Sequence, residues 1–398
     1  MKIAIFSDHF YPELGGIGDS IEILGRSLGK LGHEVNFFVP KYGKREFLVA
    51  KLPLQEIKLG ENVKINRLLS ISCPGSTKQF RLALPTGLRW LNLEKFNPDV
   101  IHVHTFFGIG LEAVISGRVI KKPIIGTNHM SISEFACYYP GFCEDWLKEN
   151  SLKYVVWFYN QCNFVTAPAK FLLAEMVKDG LTKPYQTVSN PVDMTVFGRK
   201  YRKETAKKHF KLSAHTIVYA GRLAQEKNID VIIRAVALIK QRISDINFVL
   251  AGHGSYQGKL KEIVKDLHLE NEVRFLGTFS HKDLAKLYCA SDIFVITSTS
   301  EVQSMVLMQA MACGLPAIGV NWRTMPELIN EKNGLLVEPG NYKKLAEKII
   351  YLFGNKEQRE KMGKGAFDFV QKFSAPAIAK QWKKIYGKVI SDYKRRNT

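Results

Sequence analysis

Apolar and polar positions follow one repeating order along this chain: a short apolar run, a polar or glycine-bearing turn, then apolar residues at helical spacing. Lys2 to Ser7 reads as a buried strand. The turn His9-Phe10-Tyr11-Pro12-Glu13-Leu14-Gly15-Gly16 follows it, and Ile21, Ile23, Leu24 and Leu28 then fall on one helix face. His33 to Pro40 is a second strand, and the stretch from there to Asp99 is the least regular part of the first half. Alternation resumes with Asp99 to His104 and Pro123 to His129, short β-rich runs that bring His104 and His129 to strand ends. Residues 148–162 read as a helix, Asn163 to Pro168 as a strand, and Lys170 to Asp179 as a helix closed by Gly180.

The second half repeats the plan. Strands are expected at Thr216 to Ala220, Asn247 to Ala251, Val273 to Gly277, Ile293 to Thr297, Pro316 to Val320 and Gly334 to Val337, with closing helices at Asn341 to Phe353 and Ala375 to Tyr393. Two successive halves in which strands alternate with helices imply an α/β chain of two doubly wound domains, with ligands taken at the carboxyl ends of the strands. A length of 398 residues supports the same count. The expected division is 1–198, 199–374, and a last helix at 375–398 that packs back on the first domain.

The stretch Ser300 to Pro316 organises the second half. A buried strand enters a short polar turn carrying one acid, Glu301, and a helix runs on to Gly314, with Pro316 just beyond. Glu301 thus lies at a strand end beside a helix N-terminus, where a carboxylate can bind a polyol while free amides hold phosphate. Val302 to Trp322 is a charge-free run of 21 residues, long enough to suggest a membrane span, but its Gln, Gly, Pro and Asn and its helical spacing of Met and Val fit a core helix. Earlier, Gly221-Arg222 ends a strand and Lys227 opens a helix; two cations so placed can grip a diphosphate from two sides. Gly252-His253-Gly254 lacks full dinucleotide-fingerprint spacing and reads as packing on the nucleotide side. Gly15 and Gly16 let backbone approach a ligand where a Cβ would obstruct it.

Charge and cysteine content narrow the function. The net charge is +20, with the excess mostly in the second half, so anionic partners are favoured: phosphorylated ligands or an acidic membrane surface. Nucleic acid is the weaker reading, since no recognition helix, stacking platform or basic tract is present. From Lys44 to Trp90, Lys and Arg interleave with Phe, Leu and Trp, a composition that fits an interfacial segment and equally a variable acceptor-side region with solvated charges; Lys78, Arg81 and Arg89 are its candidate acceptor-side cations. Six scattered cysteines, with no Cys-x-x-Cys, argue against zinc and a disulfide framework, and for a reducing cytosol. The short apolar opening, broken by Asp8, is no signal-peptide core.

These residues carry a resemblance. Ser300 to Pro316 resembles the Glu-x7-Glu segment of the group-one retaining glycosyltransferases of GT-B fold, with Gln309 in place of the second Glu and Ser304 in place of the usual Gly. Gln303 is the variant common in glycolipid-forming members. Gly221-Arg222-x4-Lys227, the Gly15-Gly16 turn, Thr127-x-His129 and Ser189 to Asp193 are similar to further segments of the family. The resemblance implies two domains facing across a cleft. It also implies Arg222 and Lys227 on the donor diphosphate, Glu301 and His129 on the transferred sugar, and Gly15, Gly16, Gly221, Ser304, Met305 and Val306 around the phosphates. Gln309 would face the ribose. From the residues themselves, Tyr138, Tyr139, Pro140 and Trp146 read either as an aromatic acceptor wall or as packing. The expected activity is retaining transfer of a hexosyl group from a UDP- or GDP-hexose to a membrane-lipid hydroxyl, without metal or other cofactor, in the cytoplasm at the inner membrane face. The alternatives are a soluble saccharide acceptor and a sugar-nucleotide epimerase.

Overall fold

The computed structural model describes residues 1–50, 52–72, 79–131 and 143–397, with side chains omitted for 143–149 and 397. Lys78, Tyr138, Tyr139 and Pro140, and the Trp146 side chain, lie outside the described residues. The chain divides into two compact units, Met1–Pro191 with Ala375–Thr398, and Val192–Ser374.

The first unit holds a parallel sheet formed by β1 (Lys2–Phe6), β2 (Glu34–Pro40), β3 (Val63–Leu68), β6 (Val100–Val103), β7 (Ile124–Thr127), β8 (Phe164–Ala167) and β9 (Tyr185–Thr187), in the order β3-β2-β1-β6-β7-β8-β9. A separate antiparallel pair joins β4 (Ser70–Ser72) to β5 (Arg81–Ala83). Central β1 from Ile3 on and β6 are buried on both faces and, apart from His102, apolar, as strands covered by helices on each side must be. The helices are α1 (Gly16–Lys30), α2 (Lys44–Ala50), α3 (Arg89–Phe96), α4 (Gly108–Val119), α5 (Cys143–Tyr159) and α6 (Lys170–Lys178).

The region expected to be least regular is ordered where it is described: it supplies α2, the sheet-edge strand β3, the β4–β5 pair and α3. Val63 to Asn66 alternates apolar and polar residues, the period of a half-covered edge strand, a short signal that would have pointed to it.

The second unit holds a six-stranded parallel sheet in the order β12-β11-β10-β13-β14-β15, from β10 (His215–Ala220), β11 (Ile246–Ala251), β12 (Val273–Gly277), β13 (Ile293–Ile296), β14 (Ala317–Val320) and β15 (Gly334–Val337). Its helices are α7 (Lys203–Phe210), α8 (Ile229–Lys240), α9 (Gln257–Asp266), α10 (His281–Ala290), α11 (Met305–Ala312), α12 (Met325–Leu328), α13 (Tyr342–Gly354) and α14 (Lys356–Val370). The charge-free run Val302 to Trp322 folds as turn, α11 and β14, and among the described residues no helix is long and apolar enough to cross a membrane.

The segment from Val192 to Gly198 goes with the second unit, not the first. The Val192 N–H donates to Phe373 O at 2.8 Å, and Gly198 O accepts from Cys289 Sγ at 3.4 Å. After Ser374, α15 (Ala375–Asn397) lies against α1 within the first unit and brings Trp382 and Tyr386 onto the buried His102.

Candidate functional site

In the second unit the polar residues gather where β10 and β13 end. Gly252 adopts φ +150°, and a Cβ there would lie 1.8 Å from Gly221 O, so the turns after β10 and β11 touch backbone to backbone. This close approach explains the two-glycine turn at 252–254 and holds Gly221-Arg222 against the sheet end. Lys227 ends a short 3₁₀ turn, Gln225–Lys227, and Asn228 follows in the left-handed conformation. Asn228 Nδ2 donates to Thr297 O at 3.3 Å and Thr299 Oγ1 at 3.2 Å, while Thr297 Oγ1 donates back to Asn228 O at 2.8 Å. This lock aims Lys227 Nζ at Glu301 Oε1, 2.7 Å away, with Ser300 Oγ at 3.2 Å.

Arg222 pairs with Glu226 at 2.6 Å. Both cations of the expected clamp therefore already hold a carboxylate. Burial pushes the Glu301 carboxyl up, but Lys227, the Ser298 hydroxyl and Arg222 outweigh it and bring the group below its ordinary range. At neutral pH Glu301 is an anion able to accept hydroxyl hydrogens. Ser304 caps α11, accepting from Leu307 N at 3.4 Å, which leaves the Met305 and Val306 amides at the open first turn. Gln309, one turn further, is buried at 2% exposure.

In the first unit, β1, β6 and β7 run in step, Phe6 opposite Val103 and Val103 opposite Gly126, so the residues just past their ends are neighbours. His104 Nδ1 lies 2.9 Å from His129 Nε2 with the rings stacked. Beneath them His102 is held by Tyr386 Oη at 2.8 Å and Thr127 Oγ1 at 2.6 Å. Burial lowers all three imidazoles, His102 and His104 well below their ordinary value and His129 to about 3, the last helped by the charge of His9. His129 is consequently a neutral hydrogen-bonding group, not an acid. His104 Nε2 is buried without a partner, and a bare buried N–H is rarer than a bare acceptor, so the shared proton belongs on His104 Nδ1 and His129 keeps a donor at Nδ1.

A second group at this strand end was not singled out from the sequence. Asp8 accepts from Ala83 N at 3.1 Å and Thr105 Oγ1 at 2.8 Å, and its burial raises its pKa to about 6. His9 Nδ1 meets both carboxylate oxygens of Glu13 at 3.1 Å. The available signal was the ionisable pair Asp8-His9 directly after a buried strand.

Gly15 and Gly16 sit exposed at the start of α1, with open space around Gly15. The candidate acceptor-side arginines have other work. Arg81 bonds Ser70 O at 2.7 Å and Glu46 at 3.0 Å, and buried Arg89 pairs with Glu112 and donates to Leu84 O at 2.7 Å. They shape the surface from within. Above them lie exposed apolar residues: Leu48 at 76% and Leu69 at 68%, with Leu14, Val49, Leu54, Ile71, Leu84 and Leu88, beside exposed Lys41, Lys44 and Arg45. The buried Gln79 side chain ties this surface together, accepting from Leu14 N and donating to Glu46 O at 3.0 Å.

Two parallel α/β units, the second with an Arg, Lys and Glu at its strand ends, define a GT-B glycosyltransferase that uses a sugar nucleotide. The family profile described as "Glycosyl transferases group 1" matches residues 201–369 and that described as "Glycosyltransferase Family 4" matches 14–196, so the chain carries a glycosyltransferase domain of each description. It is 26% identical to the alpha-monoglucosyldiacylglycerol synthase of Streptococcus pneumoniae over 83% of this chain and 74% of that protein. It is 27% identical to the N-acetyl-alpha-D-glucosaminyl L-malate synthase of Bacillus anthracis over 96% of this chain and 97% of that protein. Its fold matches sucrose-phosphate synthase from Thermosynechococcus elongatus with TM-score 0.78, at 20% identity over 98% of this chain and 99% of that one.

Proposed function

We propose that this glycosyltransferase moves a hexosyl group, with retention, from a UDP- or GDP-hexose to the hydroxyl of a membrane lipid, working at an anionic membrane surface on the cytoplasmic side. The observation that carries the lipid acceptor is the exposed apolar surface of α2 and the β4–β5 pair beside Lys41, Lys44 and Arg45. Clustered apolar side chains rimmed by cations are what a headgroup layer of acidic lipid accepts. Similarity to a diacylglycerol-modifying enzyme supports the same acceptor class.

In this reading the donor diphosphate draws Arg222 and Lys227 from their carboxylates, a metal-free neutralisation of the leaving group. The Met305 and Val306 amides and the open Gly15-Gly16 turn receive phosphate oxygens, with Gly221 close by. Glu301 and neutral His129 hydrogen-bond the transferred sugar, and Gln309 faces the ribose. No other cofactor takes part.

Transfer from UDP-, GDP- and ADP-sugars, in chelator, with and without vesicles of diacylglycerol and acidic phospholipid, tests the reading. Lipid-dependent release of one nucleotide, with the product's anomeric configuration matching the donor's, is expected. The similarity to a malate-modifying enzyme across nearly the full chain favours a soluble acceptor as second reading, and turnover indifferent to vesicles would select it.

A further inference from the structure

His9 and Glu13 form a unit that no part of the donor chemistry uses. His9 follows β1, at the same sheet end as His104 and His129. Its Nδ1 is held by both oxygens of Glu13 at 3.1 Å, and Glu13 Oε2 accepts from the Tyr42 hydroxyl at 3.2 Å. Phe80 stacks on the ring at 5.1 Å, and His9 O accepts from Ser7 Oγ at 2.8 Å. Ring, carboxylate and buttress are thereby fixed. Nε2 has no hydrogen-bond partner among the described residues, and the side chain keeps 18% exposure, against 8% for Glu13. An imidazole oriented by a carboxylate through one nitrogen, with the other left unpartnered among the described residues, is built to move a proton.

We propose that His9, braced by Glu13, is the base that takes the proton from the acceptor hydroxyl. This rests on the reading that the first unit receives the acceptor. The acceptor oxygen bonds to the anomeric carbon as the bond from that carbon to the phosphate oxygen breaks. The nucleoside diphosphate leaves with the electron pair, His9 Nε2 gains the proton, and the Glu13 carboxylate stabilises the imidazolium.

The charged and titratable groups around His9 fix its pH response. Burial lowers its pKa, but the Glu13 charge and hydrogen bond, with the Asp8 charge, outweigh this and hold it above the ordinary value. His129 stays neutral and contributes no charge, while Arg67 reaches the region through the Tyr42 ring, 5.5 Å away. Activity should therefore fall on the acid side as His9 becomes protonated.

The test is the pH profile of transfer for the whole chain, with whichever hydroxyl the wild type uses. His9→Gln should lower kcat by about 10²-fold or more and abolish the acid limb, with unchanged binding of the nucleoside diphosphate. Imidazole should partly rescue His9→Gly. Glu13→Gln should keep the limb but move it to lower pH, because the main source of the raised pKa is gone. Asp8→Asn should move it less, which separates His9 from Asp8 titrating nearby. A limb and kcat unchanged in His9→Gln, with normal wild-type turnover, overturns this inference alone. A wild type that transfers only to soluble hydroxyls overturns the lipid reading and leaves this test intact, and one without turnover toward any hydroxyl removes both.

Discussion

The two units share one plan, a parallel sheet with its chemistry at the carboxyl ends of the strands, and they solve it with opposite electrostatics. In the second unit the strand-end groups are charged and paired: Lys227 with Glu301 at 2.7 Å and Arg222 with Glu226 at 2.6 Å. In the first, the rings of His102, His104 and His129 lie against one another, the first two buried and the third half-buried, and all three are held neutral. Their surfaces differ in the same sense. Of the large exposed apolar residues among those described, Leu267, Trp322 and Tyr351 belong to the second unit and all the others to the first. A diphosphate demands fixed charge, which a charged pair keeps solvated until the ligand arrives. A sugar hydroxyl and an apolar acceptor demand neutral hydrogen bonds and greasy surface.

The sharpest way to break this contrast is Lys227→Met. Removing the cation strands the half-buried Glu301 carboxylate and removes half of the clamp, and kcat/KM should fall by about 10³-fold. Near-normal turnover would mean that the charged end of the second unit serves structure alone. His129→Ala should cut kcat by roughly 10²-fold while calorimetry shows unchanged nucleoside diphosphate affinity. A parallel loss of nucleotide affinity would erase the division of labour.

The surface contrast is tested by Leu48→Glu and Leu69→Glu, each expected to weaken vesicle binding by about tenfold, since a buried Leu contributes about 1.5–3 kcal/mol. Leu267→Glu in the second unit should leave vesicle binding unchanged.

Acid should act unevenly on the two units. A histidine held neutral in the fold stabilises above its unfolded value of 6.5; below that the unfolded chain binds the extra proton, costing about 1.4 kcal/mol per pH unit for each such group. His102, His104 and His129 behave this way, and His33, lowered by burial as well, acts in the same sense, while Asp8, raised to about 6, and His9, held above its ordinary value, oppose them. The melting temperature should drop between pH 7 and pH 5, and His104→Asn should flatten the slope. Glu301, with its lowered pKa, stays ionised through that window and adds nothing to it. The smallest effect is Gln309→Glu: a charged acceptor at this position should tighten donor binding about fivefold, and a Kd that rises or stays the same would remove Gln309 from the ribose site.

Much of this is legible before folding. β1 from Ile3 on is apolar, and β6 is so but for His102, because both faces are covered, and Ser304 and Gly314 bracket a helix whose start must lie beside Glu301. The stretch 44–90 is legible in composition but not in form. Its basic and apolar mixture points to an interface, yet Arg81 and Arg89 turn inward to Glu46 and Glu112, which lie 35 and 23 residues away along the chain. No local rule names such partners.

The sequence by itself determined the α/β alternation and the presence of Arg222, Lys227, Glu301 and His129 at strand ends, because strand period, helix spacing and turn chemistry are local. Only the tertiary structure decided which carboxylate each cation holds, that α15 returns to cover His102, and that the pKa of His129 is pushed down while that of His9 is pushed up. Pairing and protonation depend on desolvation and on neighbours from remote segments, and those exist only once the chain has folded.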